Sequence, residues 1–338
     1  MKLTFDQIKQ ITKGAVRFFE DEKGVHLYRF TEKQEQLFKE RNLDFYKKTF
    51  ATAGIKFVFR TDSETLHIGA ELTAASSRKY FSFDVFADGK LVGYLDNFSE
   101  AKLEEDYSQM VFPDGEFSKT FDLGKGIKTV TVYLPWSFGP VIKEVSVDDG
   151  AFVEPVKSEK KALVFGDSIT QGYDALRPSR RYAARIAEFL GAEEINKAIG
   201  AEVFFPELAK SGEDFVPDYI TVAYGTNDWS KKTREETREN CKAFYETLSK
   251  KYPTAKIFAI TPIWRKRSTE ITQYGCFEDV ATDIADAVKE LPNVTLIRGF
   301  EFVPQEPRCF GDLVLHPRNE GFDYYVEGLK KELEKHLV

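Results

Sequence analysis

A serine follows a short apolar segment in the second half of the chain, at a position where it could act as a nucleophile. Residues 162–165 are all apolar, as in a strand buried on both faces, and Gly166, Asp167 and Ser168 come directly after them. In a parallel α/β sheet, ligands bind at such strand-to-helix turns, and the backbone N–H groups there could stabilise negative charge. The same residues also suit a common Asp/Ser helix N-cap, so this motif alone leaves both interpretations open.

Two more polar groups follow strand-like segments. Gly200 comes shortly after residues 194–196, and Asn227 comes shortly after the mainly apolar residues 219–224. A backbone N–H at Gly200 and the carboxamide of Asn227 could each donate a hydrogen bond to a developing oxyanion. Taken separately, each also fits an ordinary loop glycine or a turn.

His316 is the candidate general base, since it is the only histidine of the second half outside the C-terminal tail. Asp312 lies four residues before it, and a carboxylate so placed can orient an imidazole that accepts a proton. The alternative is a surface histidine at the start of the last helix. The four histidines and three cysteines have no metal-ligand spacing, so we predict no metal site and no cofactor.

Length and composition indicate a globular protein of about two domains. Of the 338 residues, 42% are hydrophobic and 30% charged, which excludes wholesale disorder. The net charge of −7 gives no indication of a nucleic-acid partner, and no apolar segment approaches the roughly 18 residues of a membrane-spanning helix. Residues 1–6 lack the apolar core of a signal peptide, so we expect a cytoplasmic protein, and the oligomeric state is left open.

The first half, residues 1–153, has the alternating pattern of strands with one buried face. The alternating segments are residues 55–60, 66–72, 81–86 and 130–134. Asp88-Gly89 follows the third segment and predicts a two-residue hairpin turn. Because no long helical pattern occurs, we expect a β-sandwich, with a jelly roll as its specific form.

A charged linker, residues 154–161, leads into a second half, residues 162–338, in which strands and helices alternate. The strand candidates are residues 162–165, 219–224, 257–260 and 294–297, and helical periodicity occurs near residues 182–189, 235–251, 278–290 and 321–337. This alternation predicts a parallel sheet with helices on both faces.

The order of the polar motifs resembles the four sequence blocks of the SGNH, or GDSL-type, hydrolases. The residues that carry the resemblance are Gly166-Asp167-Ser168, Gly200, Gly225-Thr226-Asn227-Asp228, and Asp312 with His316-Pro317. The resemblance covers about residues 161–338 and implies a flavodoxin-like α/β/α domain with esterase activity.

The resemblance also implies a role for each of these residues. Ser168 would be the nucleophile, His316 its general base, and Asp312 the carboxylate that orients the imidazole. The N–H groups of Ser168 and Gly200 and the side chain of Asn227 would form the oxyanion hole.

Two features depart from the family pattern. Asp312 precedes His316 by four residues rather than the usual three, so a backbone carbonyl could orient the imidazole instead. Gly200 follows Asn196 by four residues, and Ala201 stands where a second glycine is expected.

The domain order resembles that of carbohydrate esterases in which a jelly roll precedes the hydrolase domain and which remove small acyl groups from sugars. We therefore expect a serine esterase acting on acetyl-like groups of a small-molecule or oligosaccharide ester. Trp229, Trp264 and Arg265 are predicted to offer substrate-binding surface near the catalytic residues. Trp136 is better explained as an aromatic plug between the two domains.

Two other functions are compatible with these residues. The same groups would serve a thioesterase or lysophospholipase, although no amphipathic membrane-binding helix is evident. The chain could also be a glycan-binding protein with an inactive hydrolase domain, for which the irregular spacing of Asp312 is the one argument.

Overall fold

Residues 1–155 contain two antiparallel sheets and three short helices. The computed structural model describes residues 1–337 and gives these elements as α1 (Phe5–Ile11), β1 (Thr12–Lys13), β2 (Arg17–Asp21), β3 (Gly24–Tyr28), α2 (Glu32–Arg41), α3 (Leu43–Thr49), β4 (Lys56–Thr61), β5 (Thr65–Ala74), β6 (Ser82–Ala87), β7 (Lys90–Asp96), β8 (Gly115–Asp122), β9 (Lys128–Tyr133), β10 (Phe138–Val147) and β11 (Glu154–Pro155). One sheet has the strand order β1-β4-β9-β6-β7, with β11 paired to β4, and the other has the order β2-β3-β10-β5-β8.

The two sheets enclose one hydrophobic core, so the predicted β-rich first half is confirmed. Phe57 and Phe59 of β4 belong to one sheet and Ile68 of β5 to the other, and all three are completely buried in that core. The hairpin predicted at Asp88 and Gly89 joins β6 to β7, and both residues have the positive φ that such a turn requires. The jelly-roll topology stays a prediction.

The first half also contains helices, which its sequence pattern did not predict. Helix α2 begins after Thr31, whose side chain accepts the N–H of Gln34. Its only fully buried apolar side chain is Phe38, so the apolar periodicity that identifies a helix is missing. Phe38 and Phe30 pack into the hydrophobic core of the second half of the chain, and the two halves therefore share that core.

The second half is a five-stranded parallel sheet with helices on both faces, as predicted. Its elements are β12 (Lys160–Gly166), α4 (Ser168–Gln171), α5 (Tyr182–Phe189), β13 (Ala192–Asn196), α6 (Pro206–Ser211), β14 (Tyr219–Ala223), α7 (Thr226–Lys231), α8 (Arg234–Lys251), β15 (Lys256–Ile260), α9 (Phe277–Val288), β16 (Val294–Ile297) and α10 (Asn319–Glu334). The order β13-β12-β14-β15-β16 is the flavodoxin-like order 2-1-3-4-5. Among the helices of residues 1–337, none has the length and apolarity needed to cross a lipid bilayer.

The segment expected to be a linker is partly structured. Glu154–Pro155 adds a short strand to the edge of β4, and β12 begins at Lys160 rather than at Ala162. Because β13 and β14 pair with opposite edges of β12, the direction of the strand order changes at β12. The carboxyl end of β12 is therefore the switch point at which sheets of this kind bind ligands.

Replacing Phe38 with alanine is predicted to destabilise the whole chain, because this first-half side chain lies in the core of the second half. The expected loss in the free energy of unfolding is about 3–5 kcal/mol, the usual cost of removing a buried aromatic ring. Denaturant unfolding followed by tryptophan fluorescence measures this loss. The matched control is Leu43→Ala on α3, because Leu43 is 63% exposed and its truncation should change little. Equal stabilities of the two variants would contradict the shared core.

Candidate active site

Ser168 lies at the switch point of the parallel sheet, on the turn from β12 into α4. Asp167 caps α4, since its Oδ1 atom accepts the N–H of Ile169 at 2.9 Å. Gly166 is required at this turn, because a Cβ there would lie 2.1 Å from Oγ1 of Thr170. A larger residue at position 166 would therefore clash with Thr170 of α4.

The side chains of Ser168, His316 and Asp312 form one hydrogen-bonded line. Nε2 of His316 lies 2.8 Å from Oγ of Ser168, and Nδ1 of His316 lies 2.6 Å from Oδ2 of Asp312. The second carboxylate oxygen of Asp312 accepts three backbone N–H groups of the same loop. Leu313 has a φ of +56° within this loop, and the four-residue spacing brings Asp312 against His316.

The carboxylate of Asp312 is strongly held in its charged form. Burial raises its pKa, but the hydrogen bond and charge of His316 and two backbone N–H groups outweigh burial and hold the pKa well below its usual range. An anionic Asp312 can accept an Nδ1–H of His316, which leaves Nε2 to accept a proton from Ser168. The geometry therefore suits a serine activated by an oriented imidazole.

Arg78, from the segment between β5 and β6, reaches this line from the first half of the chain. Its Nε and Nη2 atoms donate to the two carboxylate oxygens of Asp174 at 2.5 and 3.1 Å, and Nη2 lies 3.3 Å from Nδ1 of His316. The hydroxyl of Tyr80 donates to the carboxylate of Asp174, and that of Tyr107 donates to its carbonyl. The first half thus places a buried cation beside the imidazole and two hydroxyl groups on Asp174, whose Oδ2 lies 3.9 Å from Nδ1 of His316.

The cluster of Asp174, Asp312 and His316 has the spacing of a metal site, with ligand atoms within 4.8 Å of one another. The guanidinium of Arg78 lies among these atoms, because its Nη2 is 3.1 Å from Asp174 and 3.8 Å from Asp312. A fixed cation in that position satisfies both carboxylates and would repel a metal ion. The residues present therefore fit an arginine-centred cluster better than a metal centre.

Two of the expected oxyanion donors have a hydrogen to offer. The N–H of Ser168, the first residue of α4, has no acceptor within residues 1–337. Asn227, in α7, is 7% exposed and donates one Nδ2 hydrogen to the carbonyl of Glu202 at 3.0 Å. The amide carries two hydrogens, so one remains for a ligand.

The prediction that Gly200 supplies a free N–H is wrong. The N–H of Gly200 donates to Oε1 of Gln171 at 2.8 Å, and Nε2 of Gln171 donates to the carbonyl of Trp136, which fixes the orientation of the amide. Gly200 is required for another reason, because a Cβ there would lie 2.4 Å from the hydroxyl oxygen of Tyr173. The glycine makes room for Tyr173 and is not a free donor.

Two of the three predicted substrate-binding side chains are buried in the core. Trp229 is 2% exposed, and its Nε1 donates to the carbonyl of Gly275 at 3.0 Å. The guanidinium of Arg265 packs over the Trp229 ring at 5.1 Å and donates to Thr226. The prediction is therefore wrong for Trp229 and Arg265, whose polar atoms bind the backbone of Gly275 and Thr226. Trp264 is partly exposed and packs at the edge of the core.

Trp136 lies between the two halves, as predicted. Its ring contacts Tyr80 of the first half and Tyr173 of the second, with centroid distances of 5.9 and 5.1 Å, and its Nε1 donates to the carbonyl of Ala175. The Tyr173 ring also contacts the His316 ring, with a centroid distance of 5.3 Å. A continuous aromatic contact therefore runs from the first half to the imidazole.

Residues 164–324 match the GDSL-like lipase/acylhydrolase family. The second half is a GDSL-type ester hydrolase domain. No curated protein sequence matches the chain.

Solved structures share the fold of the whole chain and not of the hydrolase domain alone. The salicylyl-acyltransferase SsfX3 from a tetracycline biosynthetic pathway has a TM-score of 0.79 and 20% identity, over 97% of this chain and 94% of its own. A GDSL-like lipase from Bacteroides ovatus has a TM-score of 0.78 and 19% identity, over 100% and 98%. The acetyl xylan esterase Est2A from the rumen bacterium Butyrivibrio proteoclasticus has a TM-score of 0.64 and 15% identity, over 100% and 99%. At these identities the likeness establishes a common fold that includes the first half.

The sequence did not predict the residues that contact the hydrolase site from positions far away along the chain. Arg78 is separated from Asp174 by 96 positions, and neither local sequence indicates the contact. Gln171 lies three positions after Ser168 on the same short helix, a spacing that could have suggested a side chain facing the site. Burial of Trp229 depends on Gly275 in another loop, which no local pattern indicates.

Two buried carboxyl groups lie beneath the hydrolase site, next to Ser168 and Asn227. Burial raises the pKa of Asp167 to about 6, against the opposing effects of the Ile169 N–H and the charge of His316. Burial likewise raises the pKa of Asp228 to about 7. Both carboxyl groups therefore lose their proton between mildly acidic and neutral pH, and the buried negative charge lowers the free energy of unfolding.

Asp167→Asn is predicted to remove part of the decrease in the free energy of unfolding that occurs as the pH rises. A pKa that is higher in the folded than in the unfolded state contributes stability at low pH, and this contribution is lost as the pH rises from about 4 to about 6. Asparagine keeps an acceptor for the N–H of Ile169 and carries no charge. Its gain in the free energy of unfolding over the wild type should therefore be about 1–2 kcal/mol larger at pH 7.5 than at pH 4.5.

Denaturant unfolding of both proteins at the two pH values provides the measurement. Asp114→Asn is the control, since Asp114 is exposed and its replacement should leave the difference between the two pH values unchanged. A stability difference between Asp167→Asn and the wild type that is the same at both pH values would contradict a raised pKa at Asp167.

Proposed function

We propose that the chain is a serine esterase that removes acetyl-like acyl groups from a carbohydrate through an acyl-enzyme intermediate. The observation that carries the proposal is the line of hydrogen bonds from Ser168 through His316 to Asp312. A hydroxyl, an imidazole and a carboxylate in this order are the groups that acyl transfer to serine requires.

Each group then has a defined part in the reaction. Oγ of Ser168 attacks the ester carbonyl carbon while Nε2 of His316 takes the hydroxyl proton. The oxyanion that forms accepts hydrogen bonds from the N–H of Ser168 and from Nδ2 of Asn227. His316 returns the proton to the leaving alcohol, and a water molecule activated by the same imidazole releases the acyl group from Ser168. Asp312 keeps the imidazole oriented throughout.

The carbohydrate substrate is supported by the fold. A family two carbohydrate esterase from Clostridium thermocellum, solved in complex with cellohexaose, matches over 96% of this chain with 16% identity and a TM-score of 0.65. This is an analogy at the level of the fold, which gives a class to test. Around the imidazole, the buried Arg78 and Asp174 are paired with each other, so they contribute to the electrostatics of His316 and the choice of substrate class rests on the fold.

Acyl transfer to an alcohol is a second candidate function. The likeness to the salicylyl-acyltransferase favours it, because the same acyl-enzyme can be opened by an alcohol in place of water. Incubation with an acetyl ester and an excess of sugar separates the two, since an esterase releases acetate and a transferase forms a new ester. An inactive glycan-binding protein loses its one argument, because Asp312 does lie against His316.

Substitutions along the hydrogen-bonded line test the mechanism. Ser168→Ala should abolish hydrolysis of p-nitrophenyl acetate and leave the melting temperature unchanged, because the chemistry requires the hydroxyl and the fold does not. Asp312→Asn should lower kcat steeply, by up to about 10⁴, since the imidazole loses its orienting carboxylate. A loss below about tenfold for Asp312→Asn would assign the orientation of His316 to another group. Full activity of Ser168→Ala would overturn the mechanism.

Acyl-chain length tests the substrate. Each methylene buried in a matching groove would contribute about 0.8 kcal/mol, so an enzyme for long chains should gain in kcat/KM from acetate to octanoate. We expect the opposite trend, together with acetate release from an acetylated monosaccharide or xylo-oligosaccharide. A rise with chain length and no acetate release from any acetylated sugar would favour a thioesterase or lysophospholipase.

A further inference from the structure

The backbone of residues 200–202, which we term the 200–202 turn, is tied to both sides of the active site. On one side, the N–H of Gly200 donates to Gln171, which lies on the same helix as Ser168. On the other side, the carbonyl of Glu202 accepts a hydrogen bond from Nδ2 of Asn227 at 3.0 Å. The turn therefore lies between the proposed nucleophile and the proposed side-chain oxyanion donor.

Only one backbone polar group of the 200–202 turn lacks a partner within residues 1–337. The carbonyl of Gly200 accepts from Lys48, that of Ala201 accepts from Lys231, and the N–H of Glu202 donates to a backbone carbonyl. The N–H of Ala201 has no acceptor among these residues, and Ala201 is partly exposed. Because this N–H has no protein acceptor and its residue is partly exposed, it can donate to a ligand.

Ala201 also has an unusual backbone conformation. Its φ is +73°, in the left-handed region, which is unfavourable for a residue with a Cβ. Such a conformation persists only where the surrounding structure enforces it, and it often does so at functional sites. Here the turn is held by hydrogen bonds to four side chains, those of Gln171, Lys48, Lys231 and Asn227.

Lys48 acts on the peptide group that contains the Ala201 N–H. It comes from α3 in the first half of the chain, is 7% exposed, and its Nζ lies 3.1 Å from the carbonyl oxygen of Gly200. In a trans peptide the carbonyl and the N–H point in opposite directions, so a partner on the Gly200 carbonyl fixes the direction of the Ala201 N–H. A cation on the carbonyl oxygen also polarises the peptide and strengthens its N–H as a donor.

We propose that the N–H of Ala201 is the backbone donor of the oxyanion hole and that Lys48 is the positioning residue that aims it. This inference rests on the serine esterase mechanism proposed above. It assigns to Ala201 the part expected of Gly200, and it makes the first half of the chain necessary for transition-state stabilisation as well as for folding.

Substitution of Lys48 tests the positioning role. Lys48→Met should lower kcat for p-nitrophenyl acetate by about tenfold or more with KM within twofold, because the oxyanion exists only after attack. Its affinity for a boronic acid that forms a tetrahedral adduct with Ser168 should fall in parallel with kcat/KM. Lys48→Arg should restore most of kcat, and Lys47→Met, at the exposed neighbouring position on α3, should match the wild type. A folded Lys48→Met with unchanged kcat, or with a loss confined to KM, would overturn the positioning role.

Backbone ester substitution tests the donor itself. Replacing Ala201 by lactic acid exchanges its N–H for an oxygen and should lower kcat by about 10²–10³, the usual effect of removing one oxyanion donor. Replacing Gly200 by glycolic acid removes the hydrogen bond to Gln171 and weakens the Ile199 carbonyl as an acceptor for the N–H of Glu202, but it leaves the Ala201 N–H in place and should have a smaller effect. A larger loss at Gly200 than at Ala201 would overturn the assignment. Ser168→Ala serves as the reference. If Ser168→Ala is active, the esterase mechanism itself is contradicted. If Ser168→Ala is inactive but the Ala201 and Lys48 variants keep full activity, only the present inference is contradicted.

Discussion

The buried carboxylate of Asp174 holds the two halves of the chain together beside the active site. It accepts hydrogen bonds from Arg78 and Tyr80, and its backbone carbonyl accepts one from Tyr107, so three first-half residues meet at one second-half residue. Asp174 is completely buried, and a buried charge is tolerated only when it is paired and hydrogen-bonded. Removing one partner of such a pair typically costs about 3–5 kcal/mol. Because Arg78 also touches His316, the same contact fixes the surroundings of the imidazole.

The sequence predicted the fold wherever a pattern repeats along an element. The apolar runs that became β12, β14 and β15 identify a parallel sheet, and the alternating segments of the first half identify antiparallel strands. Helix α2 escaped prediction because its sequence is polar except around Phe38, and because its buried side faces the second half and not its own domain. An apolar pattern reports that a side chain is buried but not against which part of the chain.

For the active site, the sequence likewise predicted which residues come together but not which of their atoms are free to bind a ligand. Ser168, Asn227 and His316 meet because parallel strands end at one edge of a sheet, which spacing alone can indicate. Which N–H of the 200–202 turn is free depends on the orientation of the Gln171 amide, and no sequence pattern contains that information. Trp229 has the residue type of a sugar-binding surface, yet its ring is turned into the core.

The core shared by the two halves has a consequence for synthesis of the chain. Phe30 and Phe38 leave the ribosome early, whereas the second-half residues that bury them lie between Leu163 and Val288. Until those residues have been synthesised, the nascent first half exposes two aromatic side chains that are buried only in the complete chain. Exposed apolar surface of this kind promotes aggregation and chaperone binding. The sandwich core lies within the first half, but the packing of Phe30 and Phe38 belongs to a later stage of folding that includes both halves.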